Sequence, residues 1–141
     1  MAANQEEEEM DESRLASIDL FSSLSRRERR QIAQHADEID LPEGRELVRE
    51  GEFAYEFFVI EEGSAEVLRD GNHVADLGPG DFMGEMGIVG RTQRNATVVA
   101  RSPVKVIVLS EQDFRGIARA FPSVGEQIQQ AVEERWRSLV A

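Results

Sequence analysis

Apolar residues along this chain change their spacing twice, and the changes divide it into a short helical start, a long β-type middle and a helical end. Ser25 followed by Glu28 forms a capping box, with Leu24, Ile32 and Ala36 as apolar positions around it, and this predicts a helix over about 25–36. From Glu38 to Leu109 the apolar residues fall in short runs, including 56–60, 65–68, 73–77, 96–100 and 104–109. Turn residues separate these runs: Pro42-Glu43-Gly44, Glu50-Gly51, Glu61-Glu62-Gly63, Asp70-Gly71-Asn72 and Gly78-Pro79-Gly80. Their regular recurrence is that of an all-β sandwich or barrel, and Asp70-Gly71 is a strong hairpin signal. Ser110 then caps a helical segment with Phe114, Ile117, Ala118 and Phe121 on one face. Ser123 and Glu126 repeat the capping box and are expected to open a final helix with Ile128, Val132, Trp136 and Leu139 or Val140 along one stripe.

The 141 residues suffice for one compact domain with a hydrophobic core. Net charge is −12, and six of the negative charges lie in Glu6 to Glu9, Asp11 and Glu12. Such a run is expected to be a disordered, solvated tail over 1–13, leaving 14–141 as the domain. The acidic balance disfavours a grip on nucleic acid. No apolar run approaches the roughly 20 residues that a membrane helix needs, and the acidic start lacks the basic and apolar zones of a signal peptide. These features point to a cytoplasmic protein without a membrane partner. With no cysteine and only His35 and His73, thiolate and clustered-imidazole metal sites are not expected.

Candidate chemistry concentrates between Gly78 and Val98. Glycine is frequent there, so backbone N–H groups can approach an anion closely. Glu85, Arg91 and Arg94 stand among small or apolar residues. β-type runs flank the segment, which should therefore be held by a sheet. The bland alternative is a surface ion pair between Glu85 and Arg94, worth about 0 to 1 kcal/mol. Arg91 is expected to be solvated.

Several motifs then coincide: Leu20-Phe21 ahead of the first helix, Arg49-Glu50-Gly51-Glu52 before a strand, and Phe57-Phe58-Val59-Ile60 followed by Glu62-Gly63. Gly84-Glu85-Met86-Gly87-Ile88 leads on to Arg94-Asn95-Ala96-Thr97-Val98. With these features the segment from Leu20 to Trp136 resembles the cyclic nucleotide-binding domain shared by catabolite-activator-type regulators, cyclic-nucleotide-dependent kinases and gated channels. The resemblance implies a mainly β, α+β fold: a jelly-roll-like β-roll, or double-stranded β-helix, flanked by an N-terminal helix and C-terminal helices.

It implies a ligand rather than a cofactor, cAMP or cGMP, and no catalytic or metal-binding residues. Gly84, Glu85, Met86 and Gly87 would offer N–H groups to the cyclic phosphate, Glu85 would accept from the ribose 2′-hydroxyl, and Arg94 would pair with the phosphate through its planar fork. Asn95 and Ala96 complete the expected ligand-binding set. The final helix would act as a lid through Val132 or Trp136, against the alternative that its stripe is core or a dimer seam. Departures from the family pattern are Ala54 at a turn position often filled by glycine, Gln93 in place of a common proline, Gly87 in place of alanine, and Asn95. Alanine at that last position tends to accompany cAMP and threonine or serine cGMP. Asparagine can serve either base, with a lean to cAMP.

The expected function is thus a regulatory sensor whose ligand moves its C-terminal helices, with a homodimer or an effector protein as further partner and no DNA contact from this chain. A scaffold that kept the fold without the nucleotide is the alternative. A cupin-type metalloenzyme is disfavoured, since His73 alone falls in the β region.

Overall fold

The computed structural model describes residues 11–53, 56–84 and 93–140, with 135–140 described by their helical backbone alone. A short helix α1 (Ser13–Ala16) and a 3₁₀ turn (Asp19–Phe21) precede α2 (Arg26–His35). Among the described residues eight strands follow: β1 (Asp37–Leu41), β2 (Glu46–Val48), β3 (Glu56–Glu62), β4 (Ala65–Arg69), β5 (Asn72–Leu77), β6 (Phe82–Met83), β7 (Thr97–Ala100) and β8 (Val104–Ser110). Two helices, α3 (Glu111–Ala120) and α4 (Pro122–Val140), close the chain.

The strands form two antiparallel four-stranded sheets, ordered β1-β8-β3-β6 and β2-β7-β4-β5. Strand alternation gives the two sheets a shared core: Phe58, Ile60, Met83, Val106 and Val108 of the first meet Val48, Ala65, Val98 and Ala100 of the second. The intervening side chains of the first sheet, Phe57, Val59, Ile107 and Leu109, point the other way and are covered by helices. This second core also takes in Leu15, Leu20 and Phe21, Ile32 of α2, Phe114 and Ile117 of α3, and Val124, Ile128 and Val132 of α4. Both faces of β3 and β8 are therefore buried, which is why they read as unbroken apolar runs. The arrangement is the β-roll with flanking helices that the sequence led us to expect.

Local chemistry fixes the connections. Ser25 Oγ accepts from the Glu28 N–H and a Glu28 carboxylate oxygen accepts from the Ser25 N–H, so the predicted capping box is formed. Asp70 and Gly71, at φ 53° and 79°, make a two-residue turn between β4 and β5, with both central residues in the left-handed region that such a hairpin requires. Ser110 caps α3 by accepting from the Asp113 N–H.

The final helix departs from expectation. It begins at Pro122, not after a Ser123 cap, and the Phe121 carbonyl accepts from the N–H groups of Val124 and Gly125. Proline at the first helical position lacks the N–H that would be left over there, so helix initiation falls on Phe121, which also ends α3. Ser123 lies within the first turn, its hydroxyl 3.2 Å from that of Ser23. The tail assignment also changes at its inner end. The Glu12 carboxylate is 3.0 Å from Arg29 Nε, and Ser13 opens α1, so the folded body reaches residues placed in the tail. Residues 1–10 lie outside the described residues.

Glu61 falls at a register shift on β3 and faces Glu38 of β1 across β8, with Arg14 paired to Glu38 and Lys105 close by. One oxygen of each carboxyl, Glu38 Oε2 and Glu61 Oε1, is buried. Burial first, and then the hydrogen bond to Glu38 and its charge, pushes the Glu61 carboxyl up to about 8. The hydrogen bond from Glu61, followed by the Arg14 guanidinium, holds Glu38 below its ordinary value. Folded Glu61 keeps a proton that the unfolded chain has released above about 4.5, so stability should fall as pH rises from there to about 8 and then level off. Glu38 has the opposite sign, its contribution fading as pH falls below the carboxylate range. Glu61→Gln keeps a donor toward Glu38 and should flatten the decline in urea-unfolding midpoints measured across neutral pH. An unchanged slope in this variant would show that Glu61 is not its source.

Candidate functional site

Arg94 follows Gln93, which bridges to Phe53, and its backbone is held on both sides: its N–H donates to the Glu52 carbonyl at 2.6 Å, and its carbonyl accepts from the Gly51 N–H at 2.9 Å. This clamp joins the turn after β2 to the approach to β7. The residue is 9% exposed, and it is the one buried charged residue among the described residues. A buried cation needs partners. Arg94 Nη1 donates to the Gly84 carbonyl at 3.0 Å and Nη2 to the Glu56 carbonyl at 2.7 Å. The guanidinium thus ties the residue that begins the glycine-rich loop to the first residue of β3. Its planar fork makes the double contact from one rigid group, which an ammonium cannot do.

Gly84 is chosen by this contact. Its φ of +99° favours glycine, and a Cβ there would lie 2.7 Å from Arg94 Nη1 and 2.7 Å from the Glu56 carbonyl oxygen. Gly84→Ala is expected to lower stability by about 1 to 3 kcal/mol and to dislodge the guanidinium. Denaturant unfolding would register the loss, and an unchanged midpoint would contradict the close fit.

Beside Arg94, the Asn95 carbonyl accepts from Arg69 Nε at 3.2 Å, Ala96 is buried, and Thr97 Oγ1 accepts from the Glu50 N–H at 2.9 Å. The Glu50 carboxylate in turn accepts from the Asp70 N–H at 3.1 Å. The end of β4, the β4–β5 turn, the turn after β2 and the start of β7 are thereby fastened together around the arginine.

The structure therefore brings Gly84, Arg94, Asn95 and Ala96 into one region. Glu85, Met86 and Gly87, together with Arg91, lie outside the described residues, as does Ala54. Arg94 is buried, and Glu85, its partner in the ion-pair alternative, lies outside the described residues. Val132, one of two expected lid residues, is buried in the core between helices and sheet, so the core reading holds for Ile128 and Val132 in this structure. Trp136 lies on α4, with its side chain outside the description. His35 and His73 are exposed and stand next to carboxylates, His35 Nδ1 3.7 Å from Asp113 and His73 Nδ1 2.8 Å from Glu66. Among the described residues no group of three or more acidic or histidine side chains could hold a metal. Nor is any described helix long and apolar enough to cross a membrane. Sequence reasoning did not anticipate the Glu56 carbonyl or the Gly51–Glu52 backbone, since main-chain partners carry no residue-type signal.

Residues 38–121 match the model of the cyclic nucleotide-binding domain, and the chain belongs to that family. It is 34% identical over 104 residues to a cAMP-dependent protein kinase regulatory subunit of Schizosaccharomyces pombe, covering 73% of this chain and 25% of that protein. The chain thus spans about a quarter of this relative's length. Among solved structures, cAMP-bound PfPKA-R superposes with a TM-score of 0.83 at 23% identity, over 91% of this chain and 44% of that one. The regulatory subunit of a cAMP-independent protein kinase A from Trypanosoma brucei superposes with a TM-score of 0.81 at 25% identity, over 92% of this chain and 50% of that one.

Proposed function

We propose that this domain binds a cyclic nucleoside monophosphate, cAMP in preference to cGMP, through residues 84–87 and 94–96, and that it catalyses no reaction. The observation that carries the proposal is the buried Arg94 guanidinium, held by the carbonyls of Gly84 and Glu56 at the root of the glycine-rich loop. A cyclic phosphate supplies one negative charge with acceptor oxygens matched to the planar guanidinium fork. On this proposal Glu85 would accept a hydrogen bond from the ribose 2′-hydroxyl, and backbone N–H groups of residues 84–87 would donate to the phosphate. The resemblance to a cAMP-dependent regulatory subunit favours cAMP.

Coupling to the helices runs through Phe57. It follows Glu56, and its ring lies 5.5 Å from that of Phe82, two residues before Gly84, and 4.5 Å from that of Phe114 on α3. Occupancy that repositions the loop root changes the packing of α3 and, through it, α4. Such a ligand must bind the two arrangements with different affinity.

Glu85→Ala should lose about 1.5 to 3 kcal/mol of cAMP binding and little or no binding of 2′-deoxy-cAMP. Equal losses for both nucleotides would remove Glu85 as the ribose reader. The similarity to a cAMP-independent regulatory subunit, together with Asn95 and Gln93, favours a second reading in which the fold is kept as a protein-interaction scaffold without nucleotide. Such a scaffold would bind neither cAMP nor cGMP in the wild type, whereas a sensor loses its binding only in Arg94→Ala.

A further inference from the structure

Acidic residues outnumber basic ones 28 to 16 in this chain, so an exposed arginine readily finds a carboxylate. Arg49, Arg101 and Arg115 each do, at 2.7, 2.7 and 3.2 Å. Arg27 and Arg30 of α2 and Arg119 of α3 are exposed and make no ion pair among the described residues. Arg27 and Arg30 stand three positions apart on one helical face. Gln31 and Gln34, each four positions further on, share that face and form the α2 wall of a groove of about 640 Å³ between α2 and α3. Arg27 and Arg30 lie outside the groove, one turn before it.

Opposite, the groove is walled by Gly116 and Arg119 of α3, over a floor that includes the buried Ile32 and Ile117. Asp113 also lines it, six residues before Arg119 and so about 9 Å away along the helix, which leaves the Arg119 end cationic. The chain's own packing does not require Gly116. A Cβ there would meet no atom within 4 Å, whereas one at Gly125 would lie 2.6 Å from the Ala118 carbonyl oxygen, where α3 and α4 pack together. A glycine inside a helix lowers stability relative to alanine. What Gly116 provides is room over the α3 backbone, beside the apolar floor.

We propose that the α2–α3 face docks a short acidic segment of a partner protein, whose carboxylates meet Arg27, Arg30 and Arg119 and whose apolar side chain enters the groove over Gly116. Charge complementarity selects this occupant, and screening limits its length. The screening length is about 8 Å in physiological salt, so a short segment on the face feels these arginines more than the rest of the chain. Nucleic acid or an anionic membrane extends past the face onto a chain that carries −12 in total, and is repelled there.

The test titrates a blocked peptide of glutamates around one central leucine into the full chain at low ionic strength, followed by amide NMR. Signals of Gln31, Gln34, Gly116 and Arg119 should shift, and that of Gly71 on the β4–β5 turn should not. Arg27→Gln, Arg30→Gln and Arg119→Gln together should weaken binding about tenfold, the combined effect of three exposed ion pairs. All three side chains are exposed, so this variant keeps the fold. Gly116→Met fills the groove and should weaken the leucine peptide but not one with serine in its place. Shifts that are absent or spread evenly over the chain, or affinity unchanged in either variant, would overturn the proposal. Phosphatidylserine vesicles that bind this face more tightly than the peptide would overturn it as well, assigning the face to lipid. So would a peptide that binds only once Glu6, Glu7, Glu8 and Glu9 are changed to glutamine, because the chain's own acidic run would then be the occupant.

Discussion

Arg94→Ala is expected to weaken cyclic nucleotide binding by about 2 to 5 kcal/mol, the usual effect of truncating one partner of a desolvated, hydrogen-bonded charge pair. The ligand phosphate loses its counter-charge. The carbonyls of Gly84 and Glu56, which accept at 3.0 and 2.7 Å, lose a donor as well. That second effect acts on the free protein, and each unsatisfied carbonyl in the interior costs about 1 to 3 kcal/mol. Unfolding and binding must therefore be measured on the same sample. Arg94→Lys separates the two contributions: the charge remains, but one ammonium cannot span both carbonyls while facing a phosphate, so binding falls partway. Unchanged affinity in Arg94→Ala, with the protein still folded, would remove the arginine from the site.

Phe57→Ala should lower stability by about 3 to 5 kcal/mol, the range for deleting a buried aromatic ring. Phe57 is 1% exposed, and it touches the two elements on which the proposed coupling depends, the β6 approach to the loop and α3. Phe57→Leu preserves much of the apolar volume and loses the ring contacts, worth about 0.5 to 1.5 kcal/mol each. This milder variant should stay folded and bind nucleotide. The ligand-induced change at α3 and α4, followed by hydrogen exchange of their amides, should shrink. An undiminished helix response in Phe57→Leu would show that the signal takes another path.

The sequence carried the turns and the fully buried strands clearly, because their physics is local. Gly44, Gly51, Gly63, Gly71 and Gly80 all adopt positive φ in the turns assigned from sequence, and β3 and β8 declare themselves as apolar runs with both faces covered. The β1 strand was not legible: Asp37-Glu38-Ile39-Asp40-Leu41 is largely polar, and it becomes a strand by pairing with β8 along the edge of a sheet. The β2 and β6 strands, of three and two residues, are too short to show a period and exist through their partners β7 and β3. At the site, the loop glycine and the arginine were visible as residue types at a spacing. The depth of Arg94 was not, since its burial comes from the Gly51–Glu52 and Glu56 backbones, brought to it from more than thirty residues away along the chain. The start of α4 was misplaced because two valid signals competed, and proline at the first helical position prevailed over the serine beyond it.

The central claim, that the site around Arg94 takes a cyclic nucleotide, is tested most directly by isothermal titration calorimetry of the full chain with cAMP and cGMP in parallel, on folded protein freed of carried-over nucleotide. The account predicts saturable binding at micromolar concentration or tighter, with cAMP the stronger ligand. Absence of binding for both nucleotides would contradict it.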